Sequence, residues 1–169
     1  GNAVDAMIAA AAMIAVAYPH MNGLGGDGFW LVHQPGQKPW AIDACGTAAT
    51  AASLDWYAQR SLQTIPARGA PAALTMAGTV AGWQLAQDTW SVKNPAEQVM
   101  PVAELLAAAI KRAQDGIVVT DSLAAASQKV ADELRGANDY QRVFTRHGSP
   151  VRPGETFRNP ALAGLLKLL

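Results

Sequence analysis

Four side chains of this sequence have the type and setting to do chemistry: Cys45, Arg68, His20 and Asp43. Cys45 is the single cysteine, which excludes an internal disulfide and any cysteine-rich zinc site. It stands at the end of an expected strand, where site residues often lie, but a lone cysteine is more often a small hydrophobe than a nucleophile. Arg68 lies in Pro66-Ala67-Arg68-Gly69-Ala70-Pro71, a stretch rich in turn residues. An arginine held there can clamp a carboxylate with two hydrogen bonds; the plainer reading is an exposed surface side chain. Arg60 is less attractive, because it falls in a helical pattern beside Tyr57 and can be solvated there. His20, in Pro19-His20-Met21, reads as a hydrogen-bonded loop histidine rather than a general base. Asp43 alternates with apolar neighbours and is placed to orient a backbone amide.

No catalytic set assembles from these residues. There is no Gly-x-Ser-x-Gly elbow and no Ser-His-Asp pattern. His20, His33 and His147 lack metal-ligand spacing, so neither a metal nor a cofactor is expected. Gly23-Leu24-Gly25-Gly26-Asp27-Gly28 looks superficially like a phosphate loop. It follows a helix and precedes a strand, whereas nucleotide loops run from strand to helix. It reads instead as a tight connection that must pass close to other backbone.

The elements that position these residues follow from caps and periodicity. Asn2 caps an apolar helix over Ala3–Ala17, with Asp5 near its positive end, and Pro19 stops it. Apolar on nearly every side, that helix is expected in an interior layer. Phe29–His33 and Trp40–Ala44 read as a hairpin turned at Pro35-Gly36. Helices are expected over Thr79–Trp90, over Pro101–Asp115 with proline at its first position and Gly116 beyond its end, over Ser122–Arg135 capped by Thr120 or Asp121, and from near Pro160. Two strands and about five helices close no sheet, so the hairpin needs strands from elsewhere. The first residues begin inside an apparent motif and Leu165–Leu169 stop in mid-helix, as if both ends were cut.

Composition narrows the class. The 169 residues are 50% hydrophobic and only 15% charged, where about a quarter is usual; a surface so poor in charge suggests cover by a partner. Thirteen basic and thirteen acidic residues leave no net charge, and hence no footprint for nucleic acid or an anionic membrane. The apolar opening run carries Asp5 and is too short to span a bilayer. One cysteine fits a reducing compartment, so a cytoplasmic location is expected, with a periplasmic one left open by a signal upstream.

Gly1-Asn2-Ala3-Val4-Asp5-Ala6 and the run from Pro19 through Gly28-Phe29 resemble the start of gamma-glutamyltransferases. So do Ala77-Gly78-Thr79-Val80-Ala81-Gly82-Trp83, Asp115-Gly116-Ile117-Val118-Val119, and Gly148-Ser149-Pro150 through Gly154-Glu155-Thr156. The blocks keep the family's order over nearly the whole chain. The resemblance implies an α+β chain: part of an N-terminal-nucleophile hydrolase αββα sandwich, completed by a second subunit. Residues 1–169 would be a partial large-subunit domain, the N-terminal part of that sandwich. Such enzymes cleave themselves from one precursor, and the new N-terminal threonine of the small subunit becomes the nucleophile, its amine serving as base. No catalytic residue is then expected in this chain.

One departure bears on substrate. Where transferases of the family carry an Arg-Glu pair, whose arginine grips the glutamyl carboxylate, this sequence has Cys45-Gly46. A thiol does not replace a bidentate cation. The resemblance with this change implies hydrolysis of a small or non-glutamyl amide, oxamate preferred, with Arg68 as carboxylate anchor and Cys45 bordering the pocket. The alternatives are a glutathione-type transferase or hydrolase anchored by another arginine, a cephalosporin acylase, and a non-catalytic relative.

Overall fold

The computed structural model describes residues 1–69, 71–72 and 75–169. Helix α1 (Ala3–Ala17) starts at a reciprocal cap: the Asn2 side chain accepts from the amides of Val4 and Asp5, and the Asp5 carboxylate accepts from the Asn2 amide. Asp5 also does more than the sequence suggests. It is 1% exposed, its Oδ1 accepts from Gln87 Nε2 at 2.8 Å, and its Oδ2 accepts from the Met100 amide at 3.0 Å. One buried carboxylate therefore fastens the first helix to two distant segments.

Val4, Ile8, Ala12 and Val16 of α1 face inward, while Met7 and Ile14 are half-exposed. The expectation of an interior helix is thus met on one side only within this chain. Strands β1 (Gly28–Val32) and β2 (Trp40–Ala44) form the antiparallel hairpin, with Trp30 opposite Ile42. Gly36, at φ +76°, makes the turn. β1 opens at Gly28 and ends before His33, shifted by one residue from the expected span. The strand's two-residue period sends Trp30 toward the core and leaves Phe29 72% and Leu31 80% exposed.

After the short α2 (Leu54–Ala58) come α3 (Thr79–Lys93) and α4 (Val102–Asp115). Pro101 is the N-cap of α4, in extended conformation at ψ 135°, rather than its first helical residue. Gly116, at φ +104°, ends α4 and turns the chain into β3 (Ile117–Val118); a Cβ there would lie 2.5 Å from Thr156 Cγ2. Thr120 caps α5 (Asp121–Val130), which stops well short of Arg135. Then follow α6 (Asn138–Phe144), β4 (Thr145–Arg146), β5 (Ser149–Pro150), β6 (Thr156–Phe157) and α7 (Pro160–Leu166). α7 finishes at Leu166 with Lys167 as its cap, so it does not run on through Leu169.

The expected two strands are therefore six among the described residues. They pair as β1 with β2, β3 with β6, and β4 with β5, all antiparallel. The four extra strands have two residues each, too short for any period to register in sequence. Two apolar clusters fill the molecule. The larger joins α1, α3, α4 and α7 beneath the hairpin, with Ile8, Leu106 and Ala86 fully buried. Buried alanines at 12, 86 and 109 let these helix backbones approach closely. The smaller gathers Val119, Leu123, Ala124, Val151 and Phe157, with Phe144 stacked on Phe157 at 5.4 Å. Among the described residues no helix is long and apolar enough to cross a membrane.

Candidate functional site

Three backbone segments meet at the end of β2: the Gly-rich loop, the residues after Ala44, and the approach to α3. The carbonyl of Gly26 accepts from the amides of Gly78 and Thr79, both at 3.0 Å, and from the Thr79 hydroxyl at 2.8 Å. These amides open α3, whose N-cap, Gly78, has no side chain to satisfy them. A carbonyl from another loop does so instead. The Gly-rich stretch is thus the close backbone passage that its composition suggests.

The second tie runs from Asp27, whose Oδ1 accepts from the Gly46 amide at 2.9 Å. The third is the Met76 amide donating to Thr47 O at 3.0 Å, continued by an Ala48–Thr75 bridge. The packing is tight enough to fix residue types. A Cβ built on Gly46 would lie 1.5 Å from Met76 O, and one on Gly78 would lie 1.9 Å from Ala44 O. Neither position admits a side chain with this backbone.

Cys45 stands on the rim of this junction and is exposed. Its amide donates to Asp43 Oδ1 at 3.0 Å, so Asp43 does orient a backbone amide. The Asp43 carboxylate, hydrogen-bonded beside it, pushes the Cys45 thiol up to about 11, with desolvation and the charges of Asp43 and Asp27 adding to the effect. The same hydrogen bonds from Cys45 hold the Asp43 carboxyl below its ordinary value. At neutral pH the thiol stays protonated, the opposite of the thiolate a nucleophilic cysteine requires. Two carboxylates near Cys45 also make this rim acidic, so it repels a second anion rather than gripping one.

Arg68 lies elsewhere. Its Nη1 donates to Glu133 Oε2 at 3.0 Å, and both side chains are 47% exposed. It borders a cleft of about 350 Å³ between the Pro19-His20-Met21 turn and α5–α6, whose lining includes Ser127, Tyr140 and Phe144 and excludes Cys45. The two sequence-derived site residues therefore belong to different neighbourhoods of this chain. Arg60 is also occupied: its guanidinium sits 3.8 Å above the Trp56 ring and donates to Trp56 O.

His20 departs from expectation. Both of its ring nitrogens are shielded from solvent and have no hydrogen-bond partner among the described residues, and its ring lies 4.1 Å from that of Tyr18. Sequence reasoning expected a bonded loop histidine because such groups are costly to bury unpaired. It missed the roles of Asp27 and Thr79, although both lie within motifs that it singled out. Among the described residues there is no cluster of three metal-ligating side chains.

Comparison with known proteins places these features. A family model described as gamma-glutamyltranspeptidase matches residues 1–169. An oxamate amidohydrolase proenzyme of Klebsiella pneumoniae is 50% identical over 169 residues, which is 100% of this chain and 31% of that protein. A glutathione hydrolase-like proenzyme of Bacillus subtilis is 34% identical over 170 residues, again 100% of this chain and 31% of the relative. Among solved structures, the cephalosporin acylase of Bacillus halodurans superposes with a TM-score of 0.82 at 28% identity, over 99% of this chain and 31% of that one. A transpeptidase enzyme of Bacillus anthracis does so at 0.74 and 28% identity, over 99% and 49%. The chain spans about a third of the length of these curated relatives.

Proposed function

The chain belongs to the gamma-glutamyltranspeptidase family and carries part of its N-terminal-nucleophile hydrolase fold, and on that premise we propose that the complete protein is a self-processing amidohydrolase whose substrate is oxamate. The observation that carries this reading is the Cys45-Gly46 rim. It offers no cation for a glutamyl carboxylate, and Gly46 is closed to any side chain by Met76 O. The half-identical relative from Klebsiella bears the name of an oxamate-cleaving enzyme, which supports the choice of substrate.

The chemistry assigned to the complete protein is acyl transfer through a second segment of the same precursor. A threonine hydroxyl there, with its own terminal amine as base, attacks the amide carbonyl of oxamate. Ammonia leaves, an oxalyl ester remains on the threonine, and water releases oxalate. Because oxamate carries a carboxylate beside its amide, a cation must meet that charge in a closed site. The acidic rim at Cys45 does not serve. Within this chain Arg68 is the candidate, with Glu133 yielding one donor of its fork.

The test is to incubate the complete protein with oxamate, glutathione and glutaryl amides and to measure the amine or ammonia released. Oxamate should be cleaved with the highest kcat/KM. Glutathione cleaved at a higher kcat/KM than oxamate would overturn the substrate assignment and favour the glutathione-hydrolase reading.

A further inference from the structure

Asp27 does nothing for its own loop that the glycines around it do not already do. Its neighbours Gly26 and Gly28 supply the close approach to α3: Gly26 through its carbonyl, and Gly28 through contact with Thr79, whose Cα would lie 3.4 Å from a Cβ there. The Asp27 side chain instead crosses to the far segment and takes the Gly46 amide at 2.9 Å. Its own carbonyl lies 3.1 Å from the Thr79 hydroxyl. One residue thus touches both sides of the junction, by side chain on one and by backbone on the other.

Without that carboxylate, the segment after β2 would have weaker reasons to stay where it is. Gly46 has no side chain to lodge, and Cys45 is exposed. The remaining tie on the near side, Asp43 to the Cys45 amide, is internal to the segment and moves with it. The Met76–Thr47 hydrogen bond holds only the outer side. Asp27 is therefore the anchor between the rim and the Gly-rich loop.

We propose that Asp27 is a positioning residue that fixes the Cys45-Gly46 rim of the substrate pocket by accepting the Gly46 amide. Its role is hydrogen-bond acceptance across the junction, not charge, and it acts on substrate fit rather than on bond breaking. The proposal rests on the oxamate-hydrolase reading for its kinetic consequence, but the structural part stands on this chain alone.

The experiment compares Asp27→Ala and Asp27→Asn in the complete protein, after verifying self-cleavage. Asparagine keeps an acceptor oxygen at the same reach and removes the charge. Asp27→Ala is expected to raise KM for oxamate more than threefold while kcat stays within threefold of the parent, and Asp27→Asn is expected to restore the parental KM. The second readout does not depend on the substrate: the rate of Cys45 alkylation by iodoacetamide at pH 8. A released rim should let the thiol leave Asp43, so Asp27→Ala should react more than threefold faster than Asp27→Asn. If the parent does not cleave oxamate, the functional reading fails, and the alkylation ratio still decides the role of Asp27. Equal alkylation rates in the two variants, or a KM that rises as much in Asp27→Asn as in Asp27→Ala, would overturn the positioning role. Should Asp27→Ala fail to mature, Asp27→Ser takes its place, because its hydroxyl is one bond too short to reach the amide.

Discussion

Cys45 owes its character to the carboxylate two residues before it. With Asp43 beside it the thiol is pushed up to about 11, two units above its ordinary 9.0, so at pH 8 the thiolate population is about a hundredfold below that of a free cysteine. Because deprotonation is what Asp43 opposes, Cys45 should stay unreactive through neutral pH and become alkylated only as the pH approaches 11. Alkylation rates measured from pH 7 to 10 check this, and a plateau reached below pH 9 would contradict it. For the same reason Cys45→Ala should keep kcat within about threefold, with any change confined to KM. A loss of several orders of magnitude in a folded variant would make Cys45 the nucleophile after all. Arg68 calls for a different comparison. Arg68→Lys keeps the charge but loses the planar fork, and Arg68→Ala loses both. If Arg68 anchors the carboxylate, kcat/KM should fall in that order while self-cleavage persists. Values within about threefold of the parent, under ~1 kcal/mol, would leave Arg68 as the surface partner of Glu133.

Among the elements, the joints carry more of the specificity than the elements themselves. Asp5 receives hydrogen bonds from Asn2, Gln87 and the Met100 amide in a site 1% exposed. Asp5→Ala would strand these donors and should cost about 3 kcal/mol, read as a shift of the denaturation midpoint of the complete protein. Gly46→Ala should cost about 2–4 kcal/mol, because Met76 O occupies the space the methyl needs and backbone must move. A Gly46→Ala variant as stable as the parent would show that the junction yields readily. The caps and periods of α1, the hairpin, α3, α4 and α7 are legible in sequence, because each is a local pattern with a local cause. The site is less so. Asp43 is legible, since its amide is two residues away, but Asp27 bonds an amide nineteen residues on, and nothing near Asp27 announces that. The four short strands are set by pairing across the chain, as Ile117 with Phe157, rather than by their own residues. His20 is misread because the cleft that shields it is built by α5 and α6, far along the sequence.

Taken as a whole, the chain leaves apolar surface uncovered: Phe29 and Leu31 on the hairpin, Met7 and Ile14 on α1, and Val92 at 82% exposure on α3. Residues 1–169 expressed alone should therefore be insoluble or molten, binding a hydrophobic dye and melting without a sharp transition. A cooperative monomeric transition would contradict this. The division of the interior into two clusters has a consequence of its own. The larger holds α1, α3, α4 and α7 together, whereas the smaller rests on five buried side chains and an aromatic stack, with Ile117 in contact with both. So little buried area makes the smaller cluster the weaker unit. In the complete protein the amides of α5 and β3 should exchange their hydrogens through a partial opening that leaves α1 and α4 closed. The molecule would then breathe on one side of Gly116 while the other side stays shut.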